Sequence, residues 1–348
     1  MADKKKQHYI PKLYLKLFSI NNENTQIALF YLPKELYKSS VPLKSQAKED
    51  YFYGEDGTLE EDLSKLEALA APCLKVIIKT TTLPQKLSED YFKILSFSMI
   101  MACRTKDAVE EINAMTDQMA KLMMRGHDEF KDKLDDYVIR QKNAAAMAIA
   151  TTAKSLPITF DLKLKLLINK TSLKFISSDN PVIKYNQFLE QRKHFGGHVG
   201  LATKGLQIFF PVSPTHMLCF YDEWVYKIGD KLKTIVDITV PEDIDKLNSL
   251  QILNCFDHLY FNSDISETYI RQLYTRVKGK RILEYSQFKE VQKNKNENGG
   301  ESVLYHSMRQ NLNTNLQLSF ITQTKRAKRH VLNDYAAQLR NEGLRKHS

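Results

Sequence analysis

Four side chains in this sequence could do acid–base or charge-stabilising chemistry: His8, Glu67, Arg104 and Asp179. An imidazole titrates near neutrality, so His8 suits a general base or acid. Arg104 directly follows the apolar run Ile94–Cys103. A guanidinium there must find an acid or a phosphate, because burying it alone is very costly. Glu60 and Glu67 lie one heptad apart on a predicted helix and would bring one or two carboxylates to one face. Asp179 sits in the most site-like stretch, Lys174–Ile183. There an apolar run enters a Ser-Ser-Asp-Asn-Pro turn and leaves as a second apolar run. Ser178, Asp179 and Asn180 would then stand at a strand end, where chemistry is carried more often than in strand middles.

These groups together fit phosphodiester hydrolysis. His8 would be base or acid, and Arg104 would hold phosphate or developing charge. Glu67 and Asp179 would orient His8 or a divalent metal such as Mg²⁺. Gln7, Ser178, Asn180 and Asn248 would bind substrate. Each group has a plainer reading. A lone histidine is often a core-edge residue bonded to backbone, and helix glutamates are usually solvated. Asp-Asn-Pro is a common turn in which Asp accepts backbone N–H groups. Asn248, in an otherwise apolar-patterned helix, must face some partner. His194 and His198 are four apart, but the glycines near them argue against a rigid metal pair.

The elements that would hold these groups follow from periodicity. A short helix follows Pro11, and Ile27–Leu32 reads as a strand. Thr58 and Glu61 form a capping box for a helix with apolar residues at Leu59, Leu63, Leu66, Ala70 and Leu74. Pro72 is placed to kink it. Ser88 caps the next helix, which is apolar nearly all round and so predicted to be covered on most sides. Helical pattern resumes over 110–124 and again over 130–154. After Pro157 the character changes to strands at 158–168, 173–176, 206–212 and 217–221. A hairpin is expected around Gly229-Asp230, a helix from Pro241 to about Phe256, a strand at 259–261 and a helix at 267–277. Helices first and strands later predict an α+β fold with a mostly antiparallel sheet. The expected organisation is one domain over 1–285, helical over 58–156 and strand-rich over 157–285. A linker and a basic helical tail would occupy 286–348.

The chain has 348 residues, 43% hydrophobic and 26% charged, which describes a globular protein. No run approaches the roughly eighteen apolar residues of a membrane span. The first residues lack a secretory apolar core, and the four separated cysteines read as reduced thiols, so a cytoplasmic setting is expected. The net charge of +10 favours a polyanionic partner. About half of it lies after Thr324, where seven basic residues face two acids. Lys325, Arg326 and Arg329 are the expected nucleic-acid contacts there, with a solvated helix face as the plainer alternative. A partner protein or a second copy of the chain is the remaining partner class. The chain has no GxGxxG, GxxxxGK[ST], HExxH or GxSxG motif, which removes the standard dinucleotide, P-loop, zincin and α/β-hydrolase readings.

One series of short boxes carries a resemblance. Gln7-His8-Tyr9-Ile10-Pro11 with Tyr14, Leu15 and Phe18 is followed by Asp50-Tyr51-Phe52-Tyr53, Leu63 and Glu67, and Arg104-Thr105. Then come Ser178-Asp179-Asn180-Pro181-Val182, Phe210-Pro211-Val212-Ser213-Pro214 and Asn248. In that order they resemble the bacterial domain-of-unknown-function family forty-two thirty-eight over roughly residues 7–265. The resemblance implies no particular activity. It implies that His8, Arg104, Asp179 and Asn248 occupy positions the family keeps polar and that Glu67 matches a family acid. The resulting expectation is a nuclease acting as a toxin or antiphage effector. The alternatives are a non-catalytic nucleic-acid or protein binding module with a buried polar network, and a nucleotide- or small-molecule-sensing pocket.

Overall fold

The computed structural model describes residues 5–21, 23–125, 133–282, 284–295, 301–332 and 338–340. Residues Lys6–His8 form strand β1, and Pro11 precedes the single-turn helix α1 (Lys12–Leu15). Strands β2 (Gln26–Tyr31), β3 (Leu36–Pro42) and β4 (Lys48–Asp50) follow. Four helices come next: α2 (Thr58–Thr80), α3 (Glu89–Met101), α4 (Lys106–Met124) and α5 (Ala144–Ser155). Strands β5 (Lys163–Asn169), β6 (Ser177–Ser178) and β7 (Ile183–Tyr185) lead to the short helix α6 (Gln187–Gln191). Strands β8 (Gln207–Ser213), β9 (His216–Tyr221), β10 (Tyr226–Ile228) and β11 (Ile235–Ile238) precede α7 (Pro241–Asn254). Then come β12 (His258–Phe261), α8 (Glu267–Val277), β13 (Gln287–Lys295), β14 (Glu301–Met308), β15 (Ile321–Gln323) and α9 (Lys325–Arg329).

The fold is α+β. A five-stranded sheet runs in the order β11-β5-β9-β8-β7 and is antiparallel except for the β11/β5 pair. A four-stranded antiparallel sheet runs β3-β2-β12-β6. Strands β8 and β9 are buried at every position, because both faces of the larger sheet are covered. Alternation then separates two apolar sets rather than apolar from polar. Ile208, Phe210, Val212, Leu218 and Phe220 pack with α2, α3 and Tyr14. Phe209, Met217, Cys219 and Tyr221 pack with Ile244, Leu247 and Leu250 of α7. Helix α3 is the expected covered helix, and its buried Ser98 is satisfied by donating to the Ile94 carbonyl at 2.7 Å.

Several local expectations are corrected. Helix α2 is capped by Gly57 in a left-handed conformation (φ 70°), and Thr58 is its first helical residue. Asp56 Oδ1 accepts from the Thr58 N–H at 3.2 Å, so the acid, not Thr58, satisfies an end group. The helix is continuous through Pro72. The helix expected over 130–154 begins only at Ala144, and residues 130–132 lie outside the described ones. Asp117 and Asn113 of α4 accept from the Ile139 and Gln141 N–H groups at 2.7 and 3.2 Å, holding that backbone out of a helix. The hairpin expected around Gly229 does not form. Strand β10 pairs with the distant β15, and β11 lies parallel to β5.

The stretch expected to be linker and helical tail is also different. Strands β13 and β14 form an antiparallel ladder, with residues 296–300 at its tip outside the described ones. Leu316, Leu318, Ile321 and Ala327 are buried in the α7-side core. Among the described residues of the tail, helix is confined to Lys325–Arg329; Arg345 and Lys346 lie outside them.

Candidate functional site

Arg104 sits at the elbow between α3 and α4, where Thr105 caps α4 by accepting from the Ala108 N–H. The guanidinium is only 3% exposed. It donates to Glu67 Oε1 at 2.6 Å, to the Tyr53 hydroxyl at 2.9 Å and to the His8 carbonyl at 2.9 Å. Burial disfavours its charge, but Tyr53 and Glu67 outweigh burial and leave its pKa above the ordinary value. Burial pushes the Tyr53 phenol up to about 12, with Arg104 pulling the other way. Gln7 completes this brace. Its Oε1 accepts from the Tyr53 N–H at 2.6 Å, and its Nε2 donates to the Gly54 carbonyl at 2.9 Å. One arginine therefore ties three segments together through side-chain and backbone acceptors, and Gln7 tightens the β4–α2 turn against β1.

His8 contributes its carbonyl to this brace. Its ring Nε2 is buried and has no hydrogen-bond partner in the structure. Burial, then Lys12, and after them Lys48 and Arg104, push its pKa down to about 4, with the Lys44 backbone opposing them. The ring is neutral at physiological pH. An unfolded histidine titrates near 6.5, so the unfolded chain binds the extra proton as pH falls from about 6.5 to about 4. Stability should fall through that window by roughly 1–2 kcal/mol, discounted for the ring's partial exposure. His8→Gln should remove this part of the slope. Urea unfolding at about pH 7 and about pH 4.5 measures it, and an unchanged slope in the variant would refute the assignment.

Asp179 belongs to a second brace. It is 1% exposed and stands just after β6. Oδ1 accepts from the Phe256 N–H at 2.9 Å, and Oδ2 accepts from the Asp257 and His258 N–H groups at 2.8 and 2.9 Å. The Asp179 N–H donates to the His258 carbonyl at 2.9 Å. The side chain thus fixes the turn between α7 and β12. Asn248, Gln251 and Asn254 form an amide stripe at i, i+3 and i+6 on α7. Asn248 accepts from the Ile176 N–H at 3.1 Å and donates to the Lys174 carbonyl at 2.8 Å and the Tyr269 hydroxyl at 3.0 Å. Gln251 donates to Ser178 Oγ at 2.6 Å and the Asn180 carbonyl at 3.1 Å, and Asn254 donates to that carbonyl at 2.7 Å. Ser178 Oγ also accepts from the Asn180 N–H at 3.0 Å. The stripe replaces ladder partners that the two-residue β6 lacks. Tyr14 joins the remaining box by donating to the Pro211 carbonyl at 2.7 Å beside a register shift in β8, while its hydroxyl meets Ser177 Oγ at 2.7 Å.

The expected convergence is therefore corrected. Arg104 pairs with Glu67 and not with Asp179, and Asp179 binds backbone rather than His8. Among the described residues no group of three His, Cys, Asp or Glu side chains could hold a metal ion. His198 Nε2 meets the His194 carbonyl at 2.9 Å rather than joining a metal pair. Of the tail cations, Arg326 lies over Trp224 and donates to the Trp224 and Glu223 carbonyls at 2.9 and 3.1 Å. Lys325 and Arg329 are exposed on α9. Among the described residues no helix is long and apolar enough to cross a membrane.

The space available to a ligand lies beside these braces. A cavity of about 1020 Å³ opens between α4, α5, the turn after α7 and the segment after β14. Of the residues singled out in the sequence as catalytic or substrate-binding, only Asn180 lines it. Asn180 Nδ2 donates to Asp107 Oδ2 at 3.2 Å, and Arg309 grips both oxygens of the same carboxylate at 2.9 and 3.0 Å. Lys184, Arg281, Tyr285 and Arg309 are lining residues that sequence reasoning missed. Lys184 did leave a signal, as a cation between Ile183 and Tyr185 in an otherwise apolar strand. Arg309 left none, because its partner Asp107 is 202 positions away.

Fold and site define an α+β protein whose polar boxes brace strand ends and turns beside a ligand-sized cavity. The chain belongs to the family described as "Protein of unknown function (DUF4238)", whose model matches residues 6–264. No curated protein and no solved structure matches the chain.

Proposed function

We propose that this protein is a binding module that takes a small molecule in the α4–α5 cavity. The observation that carries this reading is a contrast. The cavity is of ligand size, and its wall mixes apolar side chains with polar and charged ones, so it could hold both the body and the head of a small molecule. Of the groups that a hydrolase would use, Arg104 and Asp179 are engaged by the protein itself, and the His8 ring keeps a buried Nε2 without a partner. Arg104 has three protein acceptors, Asp179 has three backbone donors, and His8 is a neutral ring within a brace. A general base must reach substrate, and a phosphate-holding arginine must have donors to offer. These contacts support the sensing-pocket and buried-network readings over phosphodiester hydrolysis.

Ala108, on the cavity wall, gives the test. Nile red, a neutral fluorescent probe, should bind the wild type saturably at one site. Ala108→Trp should weaken that binding at least tenfold with the melting temperature unchanged. Absence of saturable binding, or binding indifferent to Ala108→Trp, would remove the cavity reading. Transfer RNA and plasmid DNA with Mg²⁺ or Mn²⁺ provide the opposing arm. Cleavage by the wild type that a folded His8→Gln protein has lost would restore the nuclease reading.

A further inference from the structure

We infer that the cavity takes an amphiphilic anion, with Lys184 holding a carboxylate or phosphate-monoester head and the apolar wall holding the body. This rests on the cavity being a ligand site. Lys184 is in β7, deep in the protein, and its remaining accessible surface faces the cavity. No described residue accepts a hydrogen bond from its ammonium or pairs with it. The nearby acids have other partners. Asp107 receives Arg309 in two bonds and Asn180 in a third; Glu111 Oε1 accepts from the Ser286 N–H at 3.2 Å, while its Oε2 is buried without a hydrogen-bond partner, 3.7 Å from Arg309. Two further acids are on the wall: Glu35 pairs with Lys278 at 3.0 Å, and Asp257 is near enough to Arg281 to feel its charge without forming an ion pair.

A second cation is in a similar position. Arg281 donates to the Cys255 and Phe256 carbonyls at 2.9 and 2.8 Å. Its Nε is buried without a partner, and no described carboxylate lies within ion-pair distance. The wall thus offers two cations without a paired acid. Ile112, Met115, Met147, Ala148, Leu253 and Leu312 supply apolar surface between and beyond them. The Lys184 ammonium keeps some accessible surface and has no protein acceptor, so its donors are free for an anion, and a charge-assisted bond in this partly dehydrated setting is stronger than one in open water. Burial lowers the Lys184 pKa, with Cys103, Asp107 and Glu111 pulling the other way. Cys103 is no competing nucleophile here, since burial pushes its thiol up to about 11.

The test uses the full chain titrated calorimetrically with decyl phosphate, decanoate and decanol. At least one anion should bind ten or more times more tightly than decanol, and the tighter anion identifies the head group. Lys184→Met should weaken the anions at least tenfold and leave decanol unchanged. Lys184→Arg should retain part of the preference, and Lys184→Gln serves if the methionine variant does not fold. Anions that bind the variants as well as the wild type, or decanol binding as tightly as the anions, would overturn the inference. Decanol binding blocked by Ala108→Trp, with no gain from an anionic head, would sink the head-group assignment and leave the cavity reading standing. No binding by any of the three would sink both.

Discussion

Asp179→Ala should lower the unfolding free energy by roughly 3 kcal/mol, because it strands three backbone N–H groups together. Each buried donor left without an acceptor costs about 1–3 kcal/mol, and partial exposure of the 256–258 turn keeps the sum toward the lower end. The loss is a large share of the roughly 5–15 kcal/mol that holds a typical domain together. Asp179→Asn should cost less, since one amide oxygen still accepts, but its NH₂ would then face a backbone N–H. Urea unfolding supplies the magnitudes, and amide exchange at Phe256, Asp257 and His258 locates the damage. A fully stable Asp179→Ala protein would contradict the bracing role and return this residue to the list of catalytic candidates.

The fold class was legible because it rests on local signals: the apolar helix before Arg104, the alternating strands after Pro157 and the proline at the start of α7. What escaped was pairing across long separations. Strand β10 resembles half of a hairpin until β15, nearly a hundred residues later, takes its edge. Tail residues Leu316 and Leu318 sit among polar neighbours, and only the α7-side core explains them. The polar residues of the two braces were legible in the sequence, and the partners that hold them were not. Arg104, Asp179 and Asn248 are buried polar groups, as their apolar settings imply, and His8 is half-buried. A sequence does not say whether such a group faces a substrate or a backbone amide, since both satisfy the same need. Gln251 and Asn254 were readable as an amide stripe with Asn248, because spacings of three share a helix face.

Arg104→Met should be among the most damaging single changes, at roughly 3–5 kcal/mol, because it leaves a partner charge uncompensated. Glu67 is 20% exposed, so water takes up part of its charge, and the lower half of that range is expected. Arg104→Lys should be nearly as harmful. A single ammonium cannot reach Glu67, the Tyr53 hydroxyl and the His8 carbonyl in the planar fork that Arg104 uses. Glu67→Gln keeps an acceptor and should cost about 1 kcal/mol. In the double variant the two losses should be less than additive by about 1–2 kcal/mol, the signature of residues in one network. Equilibrium unfolding of the four proteins measures that coupling. The outcome also separates the two roles proposed for this guanidinium. A structural brace predicts lost stability with the cavity's affinity for Nile red preserved in the folded fraction. A substrate-holding arginine predicts the reverse, near-native stability with lost turnover, and that result would move the functional centre from the cavity back to the Gln7–His8 box.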